Sequence, residues 1–294
     1  MAELDYFVVD VFSGTALEGN PLAVVMDTAG LNTDRMQSIA REFNLSETTF
    51  VERRAPEVER AEGVRVRIFT TQEELNFAGH PTLGTASVLR ISAPSTLVGD
   101  TVTLRLNVGP VPVKFEGEGA FGEMTQPDPT IGETLDRADV AQFLGLDVAD
   151  LDPALQPAIV STGTAFAIVI LSSIASLARL SVRHPQATSW LRERGARWFY
   201  VLAPTGATEP DYRARMQFNG GEDPATGSAA GCAIAYLVQH GVVTPGARIH
   251  LRQGVEIGRP SDLFLSARMQ SARVSEVRVA GSTVLVAKGQ LFLP

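Results

Sequence analysis

Pro81-Thr82-Leu83-Gly84-Thr85-Ala86 and Pro224-Ala225-Thr226-Gly227-Ser228-Ala229 share one spacing of proline, glycine, hydroxyl and alanine in a chain of 294 residues. Each opens a stretch that is apolar or small around its whole circumference, running to Arg90 in one case and to His240 in the other. A helix of that composition is buried on every side. Two other segments recur in the same order. Ser13-Gly14-Thr15-Ala16-Leu17 matches Thr162-Gly163-Thr164-Ala165-Phe166, and Arg65-Val66-Arg67-Ile68 matches Arg213-Ala214-Arg215-Met216. Three ordered matches indicate a duplicated domain.

Around the two helices lie many runs of β-branched or alternating residues, among them DYFVVDVF, LAVVM, TTFVE, VRVRIFT, AFAIVIL and RWFYVLA. Helix-like stretches include TDRMQSIAREF after Asn32, RADVAQFLG and PQATSWLRERG. The expected class is α+β: two pseudo-symmetric domains, each a β-barrel-like sheet wrapped around a central helix, facing each other across a cleft. The Gly- and Pro-rich stretch from Glu116 to Pro129 marks the junction. It divides the chain into an N-terminal half, 1–118, and a C-terminal half, 119–294, with a return of the last strands to the first half left open.

Composition narrows the function classes. With 45% hydrophobic and 20% charged residues, disorder is excluded as a general description. A formal net charge of −8 offers no electrostatic footprint for nucleic acid, so a small molecule or a protein is the expected partner. The single cysteine, Cys232, excludes a disulfide framework, a CxxC pair and a two-thiol racemase, and suits a reducing cytoplasm. The uncharged stretch Pro153–Ala178 is interrupted by Ser161-Thr162-Gly163-Thr164 and reads as strand, turn, strand and helix start, not as a membrane span. His80, His184, His240 and His250 show no metal-ligand spacing.

Proline favours the first helical position, so Pro81 and Pro224 are expected to start helices with His80 and Asp223 as caps. Two helix N-termini converging on one cleft would receive a carboxylate or phosphate. The plainer reading makes Asp223 only a cap, and Gly79 and Gly84 only turn and packing residues. Glu47, between a helix end and a strand start, has Phe43, Leu45 and Phe50 as neighbours. Partial burial there would raise its pKa towards the range of a general acid/base, and a solvated loop carboxylate is the alternative. Gly254 and Gly258 of QGVEIGRPS are expected at turns, with Arg259 open as an anchor or a functional group. Cys232, inside a buried helix, reads as hydrophobic filler.

GNPLAVV at 19–25, MQSIAREFNLSETTFV at 36–51, ELNFAGHPTLGTA at 74–86, GEDPATGSAAG at 221–231 and QGVEIGRPS at 253–261 together resemble the PhzF-like phenazine-biosynthesis isomerase family. That family has the diaminopimelate-epimerase fold, and the resemblance covers essentially the whole chain. It implies a cofactor-free homodimer acting on a small carboxylic acid, with no metal. The glutamate of NLSE, the proton-shuttling acid/base, maps to Glu47. The histidine of AGHP maps to His80, and the aspartate and serine of EDPATGS map to Asp223 and Ser228. Gly79 and Gly227 would offer backbone N–H groups to the substrate carboxylate. Where the racemase branch of the fold has cysteine-containing blocks, this chain has Ala78 and Asp223-Pro224-Ala225, which favours one-carboxylate isomerisation. The implied reaction is isomerisation of trans-2,3-dihydro-3-hydroxyanthranilate or a relative. An enzyme acting on another small carboxylic acid and a non-catalytic ligand-binding protein are the alternatives.

Overall fold

The computed structural model describes residues 2–117, 119–206 and 210–293. They form two compact units, Met1–Thr125 with Ala280–Pro294, and Gln126–Val279. The boundary expected at 118/119 touches Glu118, which lies outside the described residues.

The first unit runs β1 (Ala2–Val11), β2 (Asn20–Val25), α1 (Thr33–Phe43), β3 (Glu47–Glu52), α2 (Pro56–Glu62), β4 (Val64–Phe69), β5 (Glu74–Leu75), α3 (Gly79–Ser92), β6 (Thr101–Leu106), β7 (Gly109–Phe115) and β8 (Phe121–Thr125). The second runs β9 (Thr130–Thr134), α4 (Arg137–Leu144), β10 (Ala158–Ser161), β11 (Ala165–Ile170), α5 (Ile174–Ala178), α6 (Gln186–Glu193), β12 (Trp198–Pro204), β13 (Tyr212–Arg215), β14 (Gln217–Phe218), β15 (Gly221–Glu222), α7 (Gly227–Gln239), β16 (Ile249–Gln253) and β17 (Ser261–Gln270). The last strand, β18 (Arg273–Leu293), starts in the second unit and ends in the first.

In the first unit, β1-β2-β3-β4-β6-β7-β8-β18 are neighbours, and β18 pairs back onto β1, closing an eight-stranded barrel. Inside it α3 touches β1, β2, β3, β6, β7 and β8, and every residue from Gly79 to Leu89 is buried. In the second unit the order β10-β11-β12-β13-β16-β17-β18 repeats that sequence of strands, with β9 added outside β10. The directions repeat too. The pairs β2/β3 and β4/β6 are parallel, as are β11/β12 and β13/β16. The helix in α3's chain position is α7, buried from Gly227 to Val238. The duplication read from the three short segments is thus a duplication of topology.

The register of the match between the Pro81 and Pro224 segments is corrected by the structure. Helix α3 begins at Gly79 after Ala78, and α7 at Gly227 after Thr226. Hence neither His80 nor Asp223 is a cap, and Pro81 and Pro224 are not equivalent. Pro81 is tolerated inside the first turn because the leading N–H groups of a helix have no intrahelical partner. Pro224 stays outside the helix, in a turn held by side chains described below. The junction region from Glu116 to Pro129 contains β8, whose alternating burial leaves Gly122 and Met124 inward. Gly254 and Gly258 do turn the chain, both with positive φ, between β16 and β17.

Outside the barrel, α1 packs by an ordinary amphipathic stripe. Met36, Ile39 and Ala40 are its buried residues and meet Phe50 and Phe69. Asn32 caps its start by accepting the Arg35 N–H at 2.9 Å. Asn44 ends it in the left-handed conformation, φ 51°, which turns the chain straight into β3. The second unit buries its own cluster, Val140, Leu144, Leu177 and Leu191 against Val169 and Val201.

Close approach of α3 to the barrel wall depends on Gly84. A Cβ there would lie 2.7 Å from both Leu22 Cδ2 and Val11 Cγ2. Gly84→Val is therefore expected to lower unfolding free energy by about 1–3 kcal/mol through overpacking, read from urea denaturation midpoints. An unchanged midpoint would show that the helix does not fill the barrel.

Candidate active site

Three chain segments of the first unit bring chemistry to one end of the barrel. Asn20 is the first residue of β2 and Glu47 the first of β3. The two strands are parallel neighbours with Leu22 opposite Glu47, so both start at the same end. His80 is the second residue of α3. The strand and helix are tied together one turn deeper, where the Thr49 and Thr85 hydroxyls hydrogen-bond at 2.8 Å in a fully buried setting.

His80 Nε2 stands 3.5 Å from Glu47 Oε2. Asn20 Nδ2 lies 3.1 Å from His80 Nδ1. The Glu47 side chain is 15% exposed and that of His80 only 4%, which matches the partial burial expected from the apolar neighbours of Glu47. Burial lowers the His80 pKa from its ordinary 6.5 to about 3, so its imidazole is neutral near pH 7. The 3.5 Å contact is accordingly longer than a charge-assisted hydrogen bond of about 2.7–2.9 Å. The first turn of α3 receives no side-chain cap, and its N–H groups, Gly79's among them, open on the same end.

In the second unit, Asp223 ends the segment that leads into α7. Gln253 is fully buried at the end of β16 and uses its whole amide there. Its Oε1 accepts the Thr226 N–H at 3.0 Å and the Tyr200 hydroxyl at 2.9 Å. Its Nε2 donates to the Asp223 carbonyl at 2.7 Å and to Thr226 Oγ1 at 3.0 Å. Thr226 in turn donates its hydroxyl to Asp223 Oδ2 at 2.6 Å. Burial, with the nearby Asp223 charge, pushes the Tyr200 pKa well above its usual value, so it remains a donor. Gly254, φ +80°, brings the following turn so close that a Cβ would sit 2.6 Å from the Pro224 carbonyl. These contacts hold Asp223-Pro224-Ala225 as a turn and delay the helix to Gly227. From the other side, Gln126 Nε2 donates to the Gly227 carbonyl at 2.9 Å while its Oε1 accepts the Thr162 hydroxyl at 2.6 Å.

A matching brace precedes each helix. Arg67 donates to Glu74 through Nε and Nη2 at 2.9 and 2.6 Å. Arg215 binds Glu222 in the same way at 2.9 and 2.7 Å. Such forks fix direction as well as distance. The duplication does not extend to the acid. The strand in the place of β3 in the second unit, β12, begins with Trp198, aligned with Phe166 of its parallel neighbour.

The structure therefore groups Glu47, His80 and Gly79 in the first unit, and Asp223, Gly227 and Ser228 in the second. In the sequence Asn20 stands out only as part of GNPLAVV and Gln253 only as the first residue of QGVEIGRPS, while Gln126 and Tyr200 do not stand out as site residues at all. The signal for Asn20 is an amide at the start of an apolar strand; for Gln253 it is only a place at the head of a turn segment, and its bonds to Asp223 and Thr226 exist only in the fold. Cys232 is buried, and burial pushes its thiol up to about 12, which suits filler and not a nucleophile. Among the described residues no group of three or more His, Cys, Asp and Glu could hold a metal ion. No helix among them is long and apolar enough to cross a membrane.

A strand wrap around a buried helix, present twice with one topology, defines an α+β fold of the diaminopimelate-epimerase class. Residues 9–289 match the model of the phenazine biosynthesis-like family, PhzC-PhzF. The trans-2,3-dihydro-3-hydroxyanthranilate isomerase of Pseudomonas aeruginosa is 36% identical over 98% of this chain and 99% of its own. An uncharacterized isomerase of Mesorhizobium japonicum is 35% identical over the full length of both chains. A crystal structure of a PhzF-family phenazine biosynthesis protein from Bacillus anthracis superposes with a TM-score of 0.86 at 25% identity, covering 100% of each chain. The chain belongs to the phenazine biosynthesis-like family and is an isomerase of the PhzF type.

The neutral His80 has a consequence for stability. In the unfolded chain it takes a proton near 6.5, and in the folded chain only near 3. Its contribution is complete above pH 6.5 and is lost as pH falls towards 3, because the unfolded state binds the extra proton. Between pH 7.5 and 5 the wild type should lose roughly 2 kcal/mol more than His80→Gln, measured by urea unfolding. Equal losses would place His80 in water, contrary to its burial.

Proposed function

We propose that the protein is a cofactor-independent isomerase that moves a proton on a small cyclic carboxylic acid, trans-2,3-dihydro-3-hydroxyanthranilate or a close relative, with Glu47 as the acid/base. The observation that carries this reading is a partly exposed glutamate 3.5 Å from a buried neutral histidine. Support for the substrate comes from the activity named for the Pseudomonas aeruginosa relative.

In this reading Glu47 removes the proton from the hydroxyl-bearing carbon. The electron pair left behind shifts along the conjugated ring, and Glu47 returns the proton near the carboxylate-bearing carbon. The resulting enol becomes a ketone, and no atom is gained or lost. His80 serves as a hydrogen-bonding group beside the carboxylate, since its low pKa keeps it from forming an imidazolium. We assign the α7 start the remaining part: the Gly227 and Ser228 N–H groups, with Gly79, bind the substrate carboxylate, and Asp223 stabilises charge as it shifts. One acid/base is enough for a proton that leaves and returns on the same molecule, which accords with Trp198 in the place of a second carboxylate. The reading includes a homodimer in the cytoplasm; sedimentation equilibrium giving the mass of a single chain would remove the dimer. A second reading keeps the isomerase and its acid/base and takes another small carboxylic acid as the substrate, held by the same helix starts.

The test is incubation of the wild type and of Glu47→Gln with trans-2,3-dihydro-3-hydroxyanthranilate in deuterated water, following absorbance and mass. The wild type should turn over and Glu47→Gln should lose about 10²–10⁴-fold in rate. A variant as fast as the wild type would remove Glu47 from the chemistry. Failure of both would redirect the search to other small carboxylic acids.

A further inference from the structure

Both ring nitrogens of His80 face a polar side chain. Nδ1 lies 3.1 Å from Asn20 Nδ2, and Nε2 lies 3.5 Å from Glu47 Oε2. Asn20 is fully buried and His80 is 3% exposed, so water does not arbitrate between them. A neutral imidazole carries one proton, and the nitrogen that lacks it must accept. An ionised carboxylate only accepts. Polarities match at both nitrogens when Nε2 carries the proton towards Glu47 and Nδ1 accepts an N–H from the Asn20 amide. The other tautomer would set a bare Nε2 lone pair against a carboxylate oxygen, a buried repulsion that turning the Asn20 amide over cannot relieve.

We propose that Asn20 is a positioning residue that locks His80 in its Nε2–H tautomer, keeping a hydrogen-bond donor aimed at the Glu47 carboxylate. Its effect on turnover rests on the function proposed above; the tautomer itself does not. The backbone of Asn20 is fixed by pairing with Val11 at the start of β2, so its amide is delivered by the sheet and not by a mobile loop. While Glu47 is ionised, the Nε2–H steadies the acceptor. Once Glu47 holds the substrate proton, His80 offers no vacant basic nitrogen towards it, because the only lone pair of the ring is turned to Asn20. The proton is thereby kept for return to carbon.

The experiment is ¹⁵N NMR of the histidine rings in the full-length protein at pH 7, with His80 assigned by loss of its signals in His80→Gln. The wild type is expected to show a protonated Nε2 and a bare Nδ1. A protonated Nδ1 in the wild type would overturn the proposal, and this reading needs neither turnover nor a variant at position 20. Asn20→Asp replaces the donor by an acceptor and should place a proton on Nδ1. In parallel, kcat should fall by about 10²-fold with KM changed less than about twofold, a split that general loosening of the site would not give. Nδ1 remaining bare in a folded Asn20→Asp protein would overturn the assignment. If the tautomer shifts as expected while the wild type shows no turnover of the tested substrate, the positioning role stands and the proposed reaction fails.

Discussion

A helix with no face towards water governs this architecture. From Gly79 to Leu89 and from Gly227 to Val238 every residue is buried, so each helix must be enclosed by sheet on all sides. Enclosure demands small residues where backbones approach, which is why Gly84 faces the side chains of Leu22 and Val11. It also leaves the helix start, with its uncapped N–H groups, as the place where the buried helix meets the end of the barrel. His80, two residues inside α3, reaches the end of the barrel without leaving the interior. Its proton affinity follows from that position: burial lowers its pKa to about 3.

The repeated topology separates what is structural from what is functional. Both units have parallel strand pairs at corresponding places, a bidentate Arg–Glu brace before the helix, and a helix start without a side-chain cap. These shared features belong to the wrap. What differs is chemistry: β3 begins with Glu47 and β12 with Trp198. The second unit instead concentrates a saturated amide, Gln253, on the segment that carries Asp223. A saturated buried network rigidifies its surroundings, and that unit is accordingly built to hold a fixed turn and helix start. In the proposed mechanism proton transfer belongs to the first unit alone.

Much of this is legible in the sequence because local signals agree. Helix α1 can be bounded there since Asn32, the stripe of Met36, Ile39 and Ala40, and Asn44 all point one way. The duplication is legible because Arg65–Ile68 and Arg213–Met216 fall on equivalent strands, β4 and β13. The α7 start is misplaced by sequence reasoning because Pro224 carries a strong local signal that a distant residue overrides: Gln253 holds the turn from 27 residues beyond Thr226. Strand β8 is hidden in a glycine- and proline-rich region where tertiary pairing, not propensity, makes the strand. Short α2, with Glu59 as its sole buried residue, has almost no hydrophobic pattern to read. Within the candidate site the residue types are legible, but the 3.5 Å approach of His80 to Glu47 and the Asn20 contact behind it exist only once the barrel is closed.

The proposed mechanism turns on one carboxylate that both takes and returns the proton. A single-turnover reaction of the proposed substrate, deuterated at the hydroxyl-bearing carbon, in ordinary water tests this most directly. With a single shuttle, part of the deuterium should reappear in the ketone product at the carbon that receives the proton, because the group that removed it also delivers it. Complete loss of the label to solvent, with unreacted substrate still fully deuterated, would contradict a carboxylate that keeps the proton until it returns it.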